Sequence, residues 1–142
     1  MPLQKMEWQE TLNYEVYCAL RRSVGWTLRP EPQTRAALAQ TPYCVTAWQN
    51  GEPAGMARLI GDGLYWFLVD VAVAPPCQGQ GVGRGLVDHA LAFIRARLGA
   101  GETASLELVA NPGTEPFYAA LGFSSVPNGS CGHGMVLSIS KS

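Results

Sequence analysis

The stretch "VAVAPPCQGQGVGRGL", Val71 to Leu86, joins two segments of opposite character through four glycines in the positions Gly79 to Gly85. Before it, "LYWFLVDVAVA", 64–74, is apolar on both faces, as a strand inside a sheet is. After it, Val82, Leu86, Val87, Ala90, Leu91, Ile94 and Leu98 recur at helical spacing, which predicts an amphipathic helix over 81–98 with one buried face. "SLELVA", 105–110, then reads as a second strand. Strand, helix and strand in that order make a crossover unit, so the two strands lie parallel. All-helical and purely antiparallel folds are thereby excluded.

The segments on either side complete a sheet. Met6 to Gln9 reads as a short first strand, Leu12 to Val24 as a helix, and Thr34 to Gln40 as another after Gly25, Pro30 and Pro32. The period then changes to that of strands: "YCVTAW", a turn at Asn50-Gly51, "AGMARLI", a turn at Gly61-Asp62-Gly63, and the 64–74 run. That is an antiparallel meander. Beyond the crossover, Glu115 to Leu121 predicts a short helix stopped by Gly122, and "GMVLSI", 134–139, a last strand. The expected fold class is α/β with a mixed sheet (α+β in its strand directions) flanked by about four helices, all of 1–142 forming one domain.

Composition narrows the function. With a formal net charge of -1, only Lys5 and Lys141 as lysines and the arginines scattered, there is no basic patch for a nucleic acid backbone. No apolar run reaches the roughly 18–20 residues of a membrane span, and Met1 to Glu10 has neither a basic start nor an apolar core, so a cytoplasmic protein is expected. Cys18, Cys44, Cys77 and Cys131 are far apart, and His89 and His133 stand at no ligand spacing from them, so no metal is expected.

The glycine turn carries the chemistry. A helix N-terminus offers unpaired N–H groups and a partial positive charge to phosphate oxygens, and glycines clear the approach and allow positive φ. The P-loop pattern fails for want of a lysine near Gly79–Gly85. The dinucleotide pattern fails because its third glycine falls on Arg84 or Leu86. What fits is Q-x-x-G-x-G, as Gln78-Gly79-Gln80-Gly81-Val82-Gly83. Downstream, Asn111 precedes by seven residues the tyrosine of Phe117-Tyr118-Ala119-Ala120-Leu121-Gly122-Phe123.

With these two motifs in order, the chain resembles the GCN5-related N-acetyltransferase (GNAT) superfamily. The resemblance implies a GNAT fold and acetyl-CoA as co-substrate. It implies a pyrophosphate held by the N–H groups of 78–83, with Arg84 beside it, and a pantetheine arm paired to the backbone of Val71, Ala72 and Val73. Asn111 and Phe117 belong to the same cofactor-binding set. It further implies acetyl transfer to a primary amine of a small molecule or peptide by direct attack in a ternary complex, and family habit includes homodimers. A second reading is a non-catalytic acyl-CoA-binding module, and a third is another phosphate-ligand protein such as a nucleotide binder.

The transfer needs a neutral amine, a stabilised oxyanion and a proton for the leaving thiolate. Val71 N–H is the oxyanion candidate and Tyr118 the general acid, both by resemblance; as a bare residue Tyr118 equally reads as helix packing. The family's base positions match Phe67 and Val69, both apolar here, which leaves the base open. Alternation puts Tyr65, Phe67, Val69, Val71 and Val73 on one face of the strand and Trp66, Leu68, Asp70 and Ala72 on the other. Asp70, the one ionisable group in that run, is a candidate because burial raises a carboxylate's pKa; a structural aspartate is the alternative. Glu107, on the crossover strand, is a candidate acting through water, or simply a solvated residue. Trp26, Tyr65 and Trp66 are acceptor-site candidates through their π-faces, with a place in the core as the alternative.

Overall fold

The structure, a computed structural model, describes residues 5–141, and the chain divides into two compact units, Met1–Leu108 and Val109–Ser142. The first holds β1 (Met6–Gln9), α1 (Tyr14–Ser23), α2 (Glu31–Ala39), β2 (Tyr43–Gln49), β3 (Glu52–Gly61), β4 (Tyr65–Val73), α3 (Val82–Arg97) and β5 (Ser105–Glu107). The strands form one sheet in the order β1-β2-β3-β4-β5. The first four are antiparallel neighbours, and β5 runs parallel to β4, as the crossover requires.

Local chemistry sets the boundaries. The Asn13 side chain accepts the Val16 N–H at 2.8 Å and starts α1. Asn50 (φ 54°) and Gly51 (φ 74°) make the left-handed pair of a two-residue hairpin between β2 and β3. The second helix begins three residues ahead of the expected Thr34, because Pro32 sits in its first turn, where a missing N–H breaks no bond. Pro32 therefore lies inside the helix and not ahead of it.

Each face of the sheet has its own core. On one, Val82, Leu86, Val87, Ala90 and Ile94 of α3 are buried against β2, β3 and β4, the four larger side chains each contributing about 1.5–3 kcal/mol. Gly55 makes this approach possible, since a Cβ there would stand 3.0 Å from Val82 Cγ1 and 3.1 Å from Leu86 Cδ1. On the other, Tyr17, Cys18 and Leu20 of α1 pack with Met56 and Ala72.

The second unit, Val109–Ser142, holds α4 (Glu115–Ala120), with Gly122 at φ 100° just beyond it. The expected last strand is corrected. Residues 134–139 form no strand, and Met135, Val136, Leu137 and Ile139 are exposed. β-propensity describes fit to a paired, half-buried surface, and this segment has no pairing partner among the described residues. "SLELVA" is likewise a strand only over Ser105–Glu107.

Two outcomes follow from this packing. A Cβ at Gly85 would run into the Trp8 ring, so Gly85→Ala should lower stability by about 1–3 kcal/mol in urea unfolding. Tyr43 donates to Glu10 at 3.1 Å, and burial first, then that carboxylate, push its phenol far above the ordinary value. The folded state keeps a proton that the unfolded chain releases near pH ~10, so this stability is complete below that pH and is lost as pH rises above it. Tyr43→Phe should make the alkaline fall of the unfolding midpoint shallower.

Candidate functional site

The glycine turn follows β4 through a short 3-10 turn at Pro75–Cys77. Gln78 folds back, its Nε2 donating to the Val73 carbonyl at 3.0 Å, and Gln80 is tied to the Pro76 carbonyl at 3.3 Å and to Gln49 at 3.0 Å. Gly79 (φ 78°) and Gly81 (φ 82°) take left-handed conformations, with open space where a side chain would be. Gly81 caps α3 without any side-chain bond, and no acidic residue sits in the first turn. The N–H groups of 82–84 thus point out uncapped and unopposed, which fits a phosphate group. Val82 is buried, so it has only its backbone to offer, and Arg84 is exposed, 3.9 Å from Asp88.

The edge of β4 is also open. β5 pairs only with Tyr65, Trp66 and Phe67, so among the described residues it leaves Leu68 to Val73 without a strand on that side. Within the same stretch β4 bulges. Arg58 pairs with Val69 and Met56 with Ala72, so Asp70 and Val71 together oppose Ala57. Asp70 takes φ 55°, a left-handed conformation that costs a non-glycine residue about 1–2 kcal/mol. The extra residue corrects the expected alternation. Trp66 and Leu68 keep the α3 face, whereas Ala72, assigned with them, lies in the α1 cluster, and Val73 pairs with Gly55 under α3.

Asp70 turns toward α1 and is not alone. Its Oδ1 accepts from Arg21 Nη1 at 2.6 Å, and its Oδ2 from Arg58 Nε at 2.9 Å and the Tyr17 hydroxyl at 3.3 Å. All three charged side chains are at most 15% exposed, so this is a shielded cluster with one more positive charge than negative. Arg21 also donates to the Thr27 carbonyl and Arg58 to Thr41 Oγ1. Burial first, then the Asp70 charge, raise the Tyr17 phenol above its ordinary value. The picture of a solitary buried carboxylate is therefore corrected: both oxygens face guanidinium groups. None of these partners was legible beforehand. Arg21 and Arg58 stand 49 and 12 residues away, and the only sign was a charged residue inside an apolar strand.

Glu107 is exposed and pairs directly with Phe67 in the parallel ladder, so the two share a face. Tyr65 is 64% exposed and Phe67 36% on that face. Trp26 is half-buried with the Arg21 guanidinium 5.2 Å from its ring centre. Trp66 is buried edge-on against Phe93 beneath α3, which removes it from an acceptor site and corrects that expectation. In the second unit, the Asn111 carbonyl accepts from the N–H and hydroxyl of Thr114, closing the turn into α4. Tyr118 sits edge-on to both Phe117 and Phe123, and burial raises its phenol above the ordinary value.

Comparison with known proteins agrees with these features. The model of the acetyltransferase (GNAT) family matches residues 6–123. Serotonin N-acetyltransferase 2, chloroplastic, of Oryza sativa subsp. japonica is 34% identical over 110 residues, 74% of this chain and 53% of the rice protein. The chain thus spans about half the length of that relative. A Staphylococcus aureus protein of unknown function, described as a probable acetyltransferase, superposes with a TM-score of 0.82 at 26% identity, over 95% of this chain and 100% of that one. A GNAT family acetyltransferase from Brucella melitensis, in complex with acetyl-CoA, has the same fold: TM-score 0.60, 22% identity, 86% of this chain and 84% of that one. The family match over residues 6–123 takes in the whole five-stranded sheet and the glycine turn, and this chain belongs to the GNAT acetyltransferase family.

Proposed function

We propose that the protein transfers the acetyl group of acetyl-CoA to a primary amine of a small molecule or peptide, by direct attack in a ternary complex. The observation that carries this reading is the pairing of two open backbone surfaces, the uncapped start of α3 and the unpaired edge of β4. The first suits a pyrophosphate through the N–H groups of Gly79 to Arg84, and the second suits an amide-bearing arm along Val71 to Val73. Acetyl-CoA brings an activated thioester. The Val71 N–H polarises its carbonyl oxygen, and Tyr118, a phenol protonated at neutral pH, gives a proton to the sulfur.

Glu107 takes the role of base through a water molecule. An alkylammonium group titrates near pH ~10, so the attacking nitrogen must lose a proton at neutral pH. The positions that would hold a base on β4 are Phe67 and Val69, but Glu107 is the cross-strand neighbour of Phe67 on the same face. Tyr65 and Trp26 offer π-faces to the acceptor, and the rice relative's name adds arylalkylamines to the classes worth testing. The family match runs through both compact units, and we assign 1–142 to one acetyltransferase domain. Four free thiols suit a reducing compartment such as the cytoplasm. The apolar Phe67 and Val69 also favour a second reading, an acyl-CoA-binding module without turnover.

Isothermal titration with acetyl-CoA should give saturable binding that Gly81→Glu weakens at least ~100-fold, by strain at φ 82° and by charge. No binding to the native protein would end both readings. With a panel of arylalkylamines, polyamines, amino acids and peptides, Tyr118→Phe and Glu107→Gln should each lower kcat by about 10²-fold or more while the acetyl-CoA Kd stays within about threefold. Tight binding with no turnover on any amine would select the module.

A further inference from the structure

We propose that Asp70 is a positioning residue: its carboxylate, clamped by Arg21 and Arg58, holds the β4 bulge and so aims the Val71 N–H. The chemistry rests on the acetyltransferase reading, whereas the clamp itself is a property of the protein without ligand. The Val71 N–H lies in the peptide plane between residues 70 and 71, so the backbone rotation at Asp70 sets its direction. That backbone is held at φ 55°, where bulges of this kind ordinarily carry glycine. An aspartate at such a place adds what glycine lacks, a side chain that can be gripped.

The grip comes from several elements. Arg21 reaches from α1 at 2.6 Å and is itself fixed on the Thr27 carbonyl at 2.9 Å. Arg58 reaches from β3 at 2.9 Å and is fixed on Thr41 Oγ1 at 2.7 Å. Tyr17 adds a hydroxyl at 3.3 Å. Charge-assisted bonds, one guanidinium to each carboxylate oxygen, fix geometry as well as adding energy. With both oxygens occupied and the side chain 10% exposed, Asp70 faces away from solvent and acts on Val71 through the backbone.

The test begins on the protein without ligand, by NMR. The Val71 N–H should have an order parameter near ~0.85 in the native protein and below ~0.6 in Asp70→Ala, with β2 and α3 unchanged. Its residual dipolar coupling should change in Asp70→Asn, which keeps the side chain's shape, and in Arg58→Lys, which keeps its charge; both guard against a failure to fold. In kinetics, Asp70→Ala and Asp70→Gly should both lose kcat by about 10²-fold at every pH, with the acetyl-CoA Kd changed less than about threefold. Glycine relieves the φ strain, so a native rate in Asp70→Gly would refute the clamp. Disappearance of the acidic limb from the pH profile, with the loss greatest above it, would make Asp70 a base, and loosening of the whole sheet would make it merely structural; either overturns the proposal. If no amine is turned over, the acetyltransferase reading fails separately, and the NMR measurements still decide the clamp.

Discussion

Two residues of β4 face one residue of β3, and much of the first unit is arranged around that mismatch. Without the extra residue, β4 would continue its alternation, and Ala72 would lie under α3. With it, Trp66 and Leu68 fill the α3 core while Ala72 fills the α1 core, so one strand serves both layers. The bulge is held by charge. Removing one partner from a shielded ion-paired cluster costs about 3–5 kcal/mol, because the remaining charges stay out of water, and that exceeds the left-handed strain at Asp70.

Three of the four glycines of the turn answer to two different requirements. Gly79 and Gly81 have positive φ and empty space beside them, so backbone conformation selects glycine there. Gly85 is a helical residue whose missing Cβ admits the Trp8 ring, and that ring stacks on His89 at 4.5 Å. His89 in turn hydrogen-bonds the Gly85 carbonyl at 2.8 Å. The same short stretch therefore opens the start of α3 and fastens it to β1. The requirements are separable: the first concerns what approaches the turn, the second how firmly the helix behind it is held.

What was legible in the sequence follows a physical division. Local periodicity placed β1, the hairpins and α3, and the handed crossover placed β5 parallel to β4. The glycine turn was readable because backbone conformation restricts residue type so strongly. The bulge was not, since no glycine marks it and the groups that stabilise it come from α1 and β3, far off in the chain. Residues 134–139 were misread for the opposite reason. Their apolar, β-prone composition is a property of the segment, whereas a strand is a property of a pair.

The apolar Phe67 and Val69 look at first like the loss of a catalytic base. Parallel pairing changes the question, because a base must reach the amine and need not stand on any particular strand. Glu107 sits across the ladder from Phe67 on the same face, with no partner strand drawn over it among the described residues. An exposed carboxylate beside an apolar residue keeps water close on one side while the apolar surface excludes it on the other. Under the proposed reaction, that arrangement supports proton removal through water, and it leaves Phe67 and Tyr65 free to bind the acceptor's carbon skeleton. Proton transfer and substrate contact would then be divided between two neighbouring strands.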